Sequence, residues 1–379
     1  MILCEHGPGG APALFDGAVE VVVARRPAEV IPALARLEDA RRAGYWIAGY
    51  LAYEAGYALE PALSRLMPRP RPGPLVVFGV FKGPTDAGPM LDRAADEASA
   101  ARLSPLRKGI SRGAYDAAMA RVKAYIAAGD CYQINLTFPM SARLDAGTPV
   151  GLYGALRARQ AVGFGAFVDL GAGPVVISRS PELFFRVQGG IIEARPMKGT
   201  APRDADPALD AALALDLQTS EKARAENLMI VDLLRNDISR LCQVGSVKVP
   251  ELFAVEAFAT LHQMSSRVQG RLAEAPDLVA LMAALFPCGS VTGAPKIRAM
   301  QIIRELEHGP RGVYCGAIGW MAPDGDACFN VAIRTLSLFP GGRVELNVGG
   351  GVVHDSTATG EWEEALWKAR FAKLPNPTA

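Results

Sequence analysis

The chain has 379 residues, of which 40 are basic, 39 acidic and half hydrophobic. So even a charge balance speaks against a nucleic-acid binder, which gathers basic charge on one face, and against docking to an anionic membrane surface. Met1-Ile2-Leu3-Cys4-Glu5-His6 lacks the basic and apolar regions of a secretory signal, and no window holds roughly 18 consecutive apolar residues, so a cytoplasmic protein is expected.

Along the chain, Pro and Gly concentrate at 68–90, and an Ala- and charge-rich stretch follows to about 106. This divides an N-terminal region, 1–105, expected to join the main sheets, from a body, 106–379. The body opens with a predicted helix: Ser111 caps it, Tyr115, Met119, Val122 and Ile126 form its apolar stripe, and Gly129 stops it. Strand-like runs follow at Gly163–Leu170, Val175–Ser178, Leu183–Val187 and Ile191–Ala194, the last two joined by a Gln188-Gly189-Gly190 turn. One long helical stretch is predicted over 207–240 and another helix over about 294–307. Gly312–Met321, Ala327–Leu338 and Val344–Val348 read as strands linked by Pro323-Asp324-Gly325-Asp326 and Pro340-Gly341-Gly342. Short turns between consecutive strands imply antiparallel pairing. The expected class is α+β, with large antiparallel sheets and helices packed outside them. Strict strand–helix alternation is missing, which speaks against a Rossmann fold.

Several residues could carry chemistry. The stretch Leu228–Leu234 is apolar nearly all round, the pattern of a buried helix, and Glu226 shares a stripe with Ile230 and Leu233. A carboxylate there needs a cation or strong donors; spacing leaves open a salt bridge to Arg224, Arg235 or Arg240 and a metal ligand. Near the C-terminus Glu361, Glu364 and Lys368 share a helix face, which alone describes a solvated Glu–Lys pair. The preceding Gly349-Gly350-Gly351 points to a backbone that approaches something closely. Acidic residues on two helices would suit Mg²⁺, which takes few carboxylates and keeps its waters. Lys198, in Arg195-Pro196-Met197-Lys198-Gly199-Thr200, is a solvated loop residue or a nucleophile whose pKa is lowered from about 10.4. Gly289-Ser290-Val291-Thr292-Gly293-Ala294-Pro295-Lys296 lacks the Gly-Lys-Ser/Thr ending of a phosphate loop, though amides at the start of the next helix could hold an anion. His262 reads as a hydrogen-bonded core histidine, with a catalytic role as the alternative. The six cysteines (Cys4, Cys131, Cys242, Cys288, Cys315, Cys328) form no Cys-x-x-Cys pair and read as reduced thiols.

Taken in order, Gly129–Thr137, Ser180-Pro181-Glu182-Leu183-Phe184, Arg195–Thr200, Ala225–Asp237, Gly289–Lys296, Gly312–Gly319, Asn330–Thr335, Gly349–Ser356 and Glu361–Lys368 resemble the chorismate-utilising enzymes over about 110–370. That family includes anthranilate, aminodeoxychorismate, isochorismate and salicylate synthases. The resemblance implies two antiparallel sheets packed face to face with helices outside. It implies that Glu226 and Glu364, with Glu361 nearby, hold Mg²⁺ against the ring carboxylate. Arg334, Tyr314, Lys368 and the amides of Gly349 and Gly350 would bind the anionic and enolpyruvyl groups, Thr200 and His262 would line the site, and Glu182 would protonate the departing C4 hydroxyl. Water-using members carry a lysine base where Gln133 stands, so amination by ammonia is expected. Anthranilate synthases usually carry alanine where Lys198 stands, and in aminodeoxychorismate synthases that lysine attacks C2. Gly49–Tyr57 resembles a segment common in that large subunit, and the Leu-Leu-Glu-Ser segment of tryptophan-regulated members is not seen. The active-site histidine of the family lies three residues before a serine and five before a valine: His262 fits Ser265, whereas Val268 counts back to Gln263. The sequence carries no Gly-x-Cys-x-Gly glutaminase elbow, and with its last residue at Ala379 no lyase domain is expected. Ammonia from a separate glutamine amidotransferase subunit is therefore expected, on a route to 4-aminobenzoate and folate. The alternatives are an anthranilate synthase and a non-catalytic partner of an amidotransferase.

Overall fold

Alternate side chains of a strand face opposite ways, so a strand apolar on both faces must be covered on both. The computed structural model describes residues 1–257, 261–275 and 277–374. Their strands form two sheets, one of 11 strands and one of 10. The first is built on Gln133–Ala146 and Arg343–Val352, antiparallel from Arg143↔Arg343 to Ile134↔Val352. It continues through Thr335–Leu338, Val175–Ser180 and Phe164–Val168 to Ile2–Cys4 and Ala13–Phe15. The second runs from Met197–Pro202 through Leu261–Arg271, Ile191–Arg195, Leu183–Gln188, Ala327–Val331 and Ala317–Met321 to Trp46–Leu51, Val76–Phe81 and Glu20–Ala24. Strands from before residue 106 thus extend both sheets.

The inner faces meet in one core. Ala48 and Tyr50 of the second sheet pack there with Ile2, Phe15, Ala166 and Val176 of the first. Ile47 and Leu51, one residue to either side, turn outward and pack under the helices Val30–Arg42 and Leu278–Leu285. The first sheet is covered in the same way by Arg112–Ala127, Pro149–Arg159, Lys296–Leu306 and Ala358–Lys368. Each large apolar side chain so enclosed contributes about 1.5–3 kcal/mol. The α+β class, with its two facing antiparallel sheets and outer helices, is as expected.

The local signals also hold. The Ser111 hydroxyl accepts from the Ala114 amide at 3.2 Å, and Gly129 adopts φ +79 just past the helix end. Gly189 and Gly190 take φ of +55 and +76, the left-handed pair that a two-residue hairpin turn needs. Three elements differ, the first being the strand expected over Gly312–Met321, which begins only at Ala317. The helical stretch over 207–240 breaks at Ser220, which leaves the helix with ψ 112 and caps a new one, Glu221–Ser239, by accepting from the Ala223 amide. That second helix is not enclosed all round, because Leu228 is 43% exposed. The strand expected over Ala327–Leu338 is two strands, Ala327–Val331 in the second sheet and Thr335–Leu338 in the first. All six cysteines are buried and free. Among the described residues no helix is long and apolar enough to cross a membrane.

Arg311 ties these layers together. Its guanidinium is bonded to Glu307 at 2.7 and 2.9 Å, to the Val291 carbonyl at 2.8 Å and to the Asn135 carbonyl at 2.6 Å. It also lies 4.4 Å from the centre of the Tyr53 ring. Glu54, the next residue, accepts from the amides of Arg311 and Gly312 at 2.6 and 3.1 Å. Truncating one partner of a buried ion pair strands the other. Arg311→Met is therefore expected to lower the unfolding free energy in urea by about 3–5 kcal/mol; a loss below about 1 kcal/mol would show that the ring of contacts is dispensable.

Candidate active site

Two connections cross between the sheets side by side. Pro181 and Glu182 link Val175–Ser180 of the first sheet to Leu183–Gln188 of the second. Ala332, Ile333 and Arg334 make the opposite passage. Leaving a sheet strands backbone groups, which must find partners. Here the Ser180 hydroxyl donates to the Val331 carbonyl at 2.6 Å, the Val331 amide to the Glu182 carbonyl at 3.1 Å, and the Arg179 amide to the Arg334 carbonyl at 2.9 Å. Arg334 takes φ +50, a left-handed conformation rare outside glycine. The crossings open one wall of a cavity of about 570 Å³, and the helices Glu221–Ser239 and Ala358–Lys368 supply others.

Glu182, Lys198, Thr200, Glu226, Tyr314, Arg334, Gly349, Gly350, Glu361, Glu364 and Lys368 all line this cavity. Gln133 stands just behind the lining. A Cβ added at Gly351 would lie 3.0 Å from the Lys198 amine and 3.1 Å from the Gln133 amide nitrogen. Gln133 is fully buried, and neither end of its carboxamide has a hydrogen-bond partner among the described residues. His262 is placed elsewhere: its Nε2 is 2.9 Å from Asp210 Oδ1, and it does not line the cavity. Its neighbour Gln263 does, donating to the Gly199 carbonyl at 2.6 Å and standing 3.2 Å from Thr200 Oγ1. Adjacent residues of a strand face opposite ways, so only one of the two can point inward. The spacing from Val268 indicated Gln263, and the spacing from Ser265 indicated the wrong face.

The charged groups are arranged around missing side chains. A Cβ at Gly350 would fall 2.9 Å from Glu361, 3.5 Å from Lys368 and 3.6 Å from Glu364. Lys368 pairs with Glu364 at 2.7 Å and donates to the Gly349 carbonyl at 3.0 Å, while the Ser356 hydroxyl donates to Glu361 at 2.6 Å. Among the described residues the ion pair of Glu226 is with Lys222, at 4.0 Å, rather than with Arg224, Arg235 or Arg240. The guanidinium of Arg334 makes no hydrogen bond or ion pair among the described residues, so its nearest counter-charge is Glu182.

Burial sets the protonation of the central pair. It pushes the Glu182 carboxyl up to about 7, against the pull of the Ser290 hydroxyl, Lys198, Lys368 and Arg334. Lys198 is half-buried as a residue because it lines the cavity, but its amine is enclosed. Enclosure, then the charge of Lys368, lower its pKa against Glu182, Glu226 and Glu364. Near neutral pH both groups are thus moved toward their uncharged forms, an acid beside a free amine.

Among the described residues no three acidic, cysteine or histidine side chains are close enough to cage a metal by themselves. Glu226, Glu361 and Glu364 instead line the cavity as separate carboxylates. Burial raises Glu226 and Glu361, and each is raised further by Glu364. Burial acts on Glu364 in the same direction, but its pairing with Lys368 outweighs this and holds it low. An oxygen-only set under mutual repulsion suits a hard divalent cation that takes one or two carboxylates and keeps its waters.

Other lining residues escaped the sequence reading. Asn135, Ser290 and Asn347 all reach the cavity. Ser290 lay within the segment set aside as a phosphate loop, yet its hydroxyl lies against Glu182. Lys296, at the end of that segment, is held by Asp237 at 2.5 Å and by the Leu285 carbonyl at 3.0 Å. Gly351→Ala would push on the flexible tip of Lys198 rather than on backbone. It is expected to leave thermal unfolding nearly unchanged while slowing turnover of a substrate held in this cavity by roughly 10- to 100-fold; full activity would show that the amine is not needed at that point.

The sequence profile of chorismate binding enzymes matches residues 16–373. The chain is 50% identical over 245 residues to an aminodeoxychorismate synthase of Streptomyces griseus, covering 64% of this chain and 34% of that one. It is 43% identical over 265 residues to aminodeoxychorismate synthase component 1 of Klebsiella aerogenes, covering 70% and 58%. Anthranilate synthase component 1 of Streptomyces coelicolor is 44% identical over 252 residues, covering 66% and 49%. The matches thus span between about a third and three-fifths of the relatives' length. The crystal structure of anthranilate synthase component I from Streptococcus pneumoniae superposes with a TM-score of 0.79 at 26% identity, over 95% of this chain and 92% of that one. By its sequence and its fold, the chain belongs to the chorismate binding enzymes.

Proposed function

We propose that the chain aminates chorismate at C4, forming 4-amino-4-deoxychorismate for 4-aminobenzoate and folate synthesis, with ammonia supplied by a separate glutamine amidotransferase subunit. The observation that carries this reading is the enclosed Lys198 amine, placed beside Gln133 and in the field of Glu182. Chorismate is a dianion. The Arg334 guanidinium, without an ion-pair partner among the described residues, offers a fork for one carboxylate, and Lys368 is a second cation in the lining. Mg²⁺ held by Glu226, Glu361 and Glu364 would neutralise charge at the ring carboxylate.

In the first step the neutral Lys198 amine bonds to C2 of the ring. Both double bonds of the ring shift, C1=C2 to C1=C6 and C5=C6 to C4=C5, and the C4 hydroxyl leaves as water with the proton of Glu182. In the second step ammonia bonds to C4, both double bonds shift back, the C2–N bond to Lys198 breaks, and the ammonium formed at C4 returns a proton to Glu182. The sum is chorismate plus ammonia giving aminodeoxychorismate plus water. A covalent lysine step directs the incoming nitrogen to C4 rather than C2. Gln133 fits this chemistry because a carboxamide can hold a small polar molecule but cannot take its proton. Ammonia needs no base, whereas water would.

Anthranilate synthase is the second reading, favoured by the Streptomyces coelicolor and Streptococcus pneumoniae relatives. Lys198 stands against it. Product analysis by mass spectrometry separates the two: chorismate, Mg²⁺ and ammonium at mildly alkaline pH should yield 4-amino-4-deoxychorismate, and Lys198→Ala should lose it. Anthranilate as product would overturn the lysine step. Untouched chorismate, even with an amidotransferase added, would overturn the catalytic reading.

The pH profile follows from the same two groups. With kcat/KM expressed per free ammonia, activity should rise as Lys198 loses its proton. It should fall as pH passes about 7 and Glu182 ionises. Glu182→Gln removes the titrating acid. Its residual rate, lower by roughly 10²–10⁴-fold, should lack the fall on the alkaline side; a variant that keeps that limb would show that another group is the acid.

A further inference from the structure

A second cavity, of about 440 Å³, adjoins the first and shares Tyr314 and Asn347 with it. That volume falls within the usual range of small-molecule sites. Its wall is largely apolar, with Pro74, Pro174, Met140, Leu346 and Phe339 in the lining. Two polar groups in this wall lack their due partners among the described residues. Tyr50 is 1% exposed, and its buried hydroxyl has no hydrogen-bond partner. It stands over Gly173, where an added Cβ would lie only 2.7 Å from the phenol oxygen. An orphaned hydroxyl of this kind is rare, because its desolvation is uncompensated.

Arg71 is the second. Its terminal nitrogens donate to the carbonyls of Pro68 and Arg25 at 2.9 and 2.8 Å, while Nε is buried without a partner. No carboxylate pairs with it among the described residues. The two acidic residues of the wall are already engaged, Glu54 by the amides of Arg311 and Gly312 and Glu345 by Arg343. The cavity therefore offers a guanidinium with an unpartnered donor, a phenolic donor and a largely apolar enclosure.

We propose that this cavity is a second small-molecule site, and that its ligand is a small aromatic carboxylate. The carboxylate would sit against Arg71, an oxygen of the ligand would accept from Tyr50, and the ring would lie among the prolines and Phe339. Nothing in this assignment depends on the reaction run in the first cavity.

Benzoate is the probe, titrated calorimetrically into the full chain, with benzamide as its neutral counterpart. Benzoate should bind the wild type and Arg334→Gln with similar affinity. Arg71→Gln should weaken it by about tenfold or more, the scale of one charge-assisted contact, and Tyr50→Phe by about three- to tenfold. Benzamide should bind the wild type about tenfold more weakly than benzoate. If Arg71→Gln lowers the melting temperature, Tyr50→Phe, which removes one oxygen, carries the comparison. Binding that Arg334→Gln abolishes and the other two variants leave intact would place the ligand in the first cavity and overturn the proposal. So would the absence of binding at millimolar benzoate.

Discussion

The two sheets exchange strands at one place, and the site exists because they do. A β-strand hides its polar backbone only while it stays in a ladder. At 181–182 and 332–334 the chain leaves one ladder for the other, and the two passages satisfy each other across the gap. That requirement holds Glu182 and Arg334 side by side in the interior, where neither a helix nor a continuous strand would have put them. Arg334 accepts a left-handed backbone at this point. Strain of order 1–3 kcal/mol persists only where the surroundings over-determine it. Arg311 supplies part of that surrounding frame, because its bonds clamp the loop that precedes Tyr314 to both the Gly289–Val291 turn and the strand Gln133–Ala146.

The chemistry of the cavity is set by enclosure more than by any single contact. Burial is the first cause of the shift at Glu182 and at Lys198, and it acts on them in opposite directions of pKa. A low dielectric disfavours charge whatever its sign. An acid and an amine that would form an ion pair in water are both moved toward neutrality. Opposite charges nearby limit how far each can move. Glu361 and Glu364 lie farther out, around the space left by the missing side chain at Gly350. There a cation and a dianionic substrate could share one wall.

Much of the architecture was legible because its signals are local. The Ser111 cap, the Gly129 stop and the Gly189-Gly190 turn each depend on a few neighbouring residues, and each formed as read. The break at Ser220 was also a local matter: serine prefers to cap a helix rather than run through one, and apolar content on both sides concealed it. The split of Ala327–Leu338 was not local. Nothing in that run of strand-forming residues marks a change of sheet, since both halves are equally fit to be strands. Glu226 drew its partner from Lys222, one turn away on the same helix face, while Arg224 lies over the Phe253 ring and Arg235 pairs with Asp232.

By itself the sequence determined the fold class, through apolar alternation and antiparallel turns, and the kind of chemistry available, through glycines, carboxylates and one lysine in ordered motifs. The tertiary structure alone decided which residues meet. It turned Gln263 inward and His262 toward Asp210, brought Ser290 to Glu182, and drew Lys296 away to Asp237. Side-chain direction at a given position depends on the register and curvature of strands far apart in the chain. Protonation depends on how completely those strands exclude water. Neither quantity is a property of a segment, so neither can be read until the sheets have closed around it.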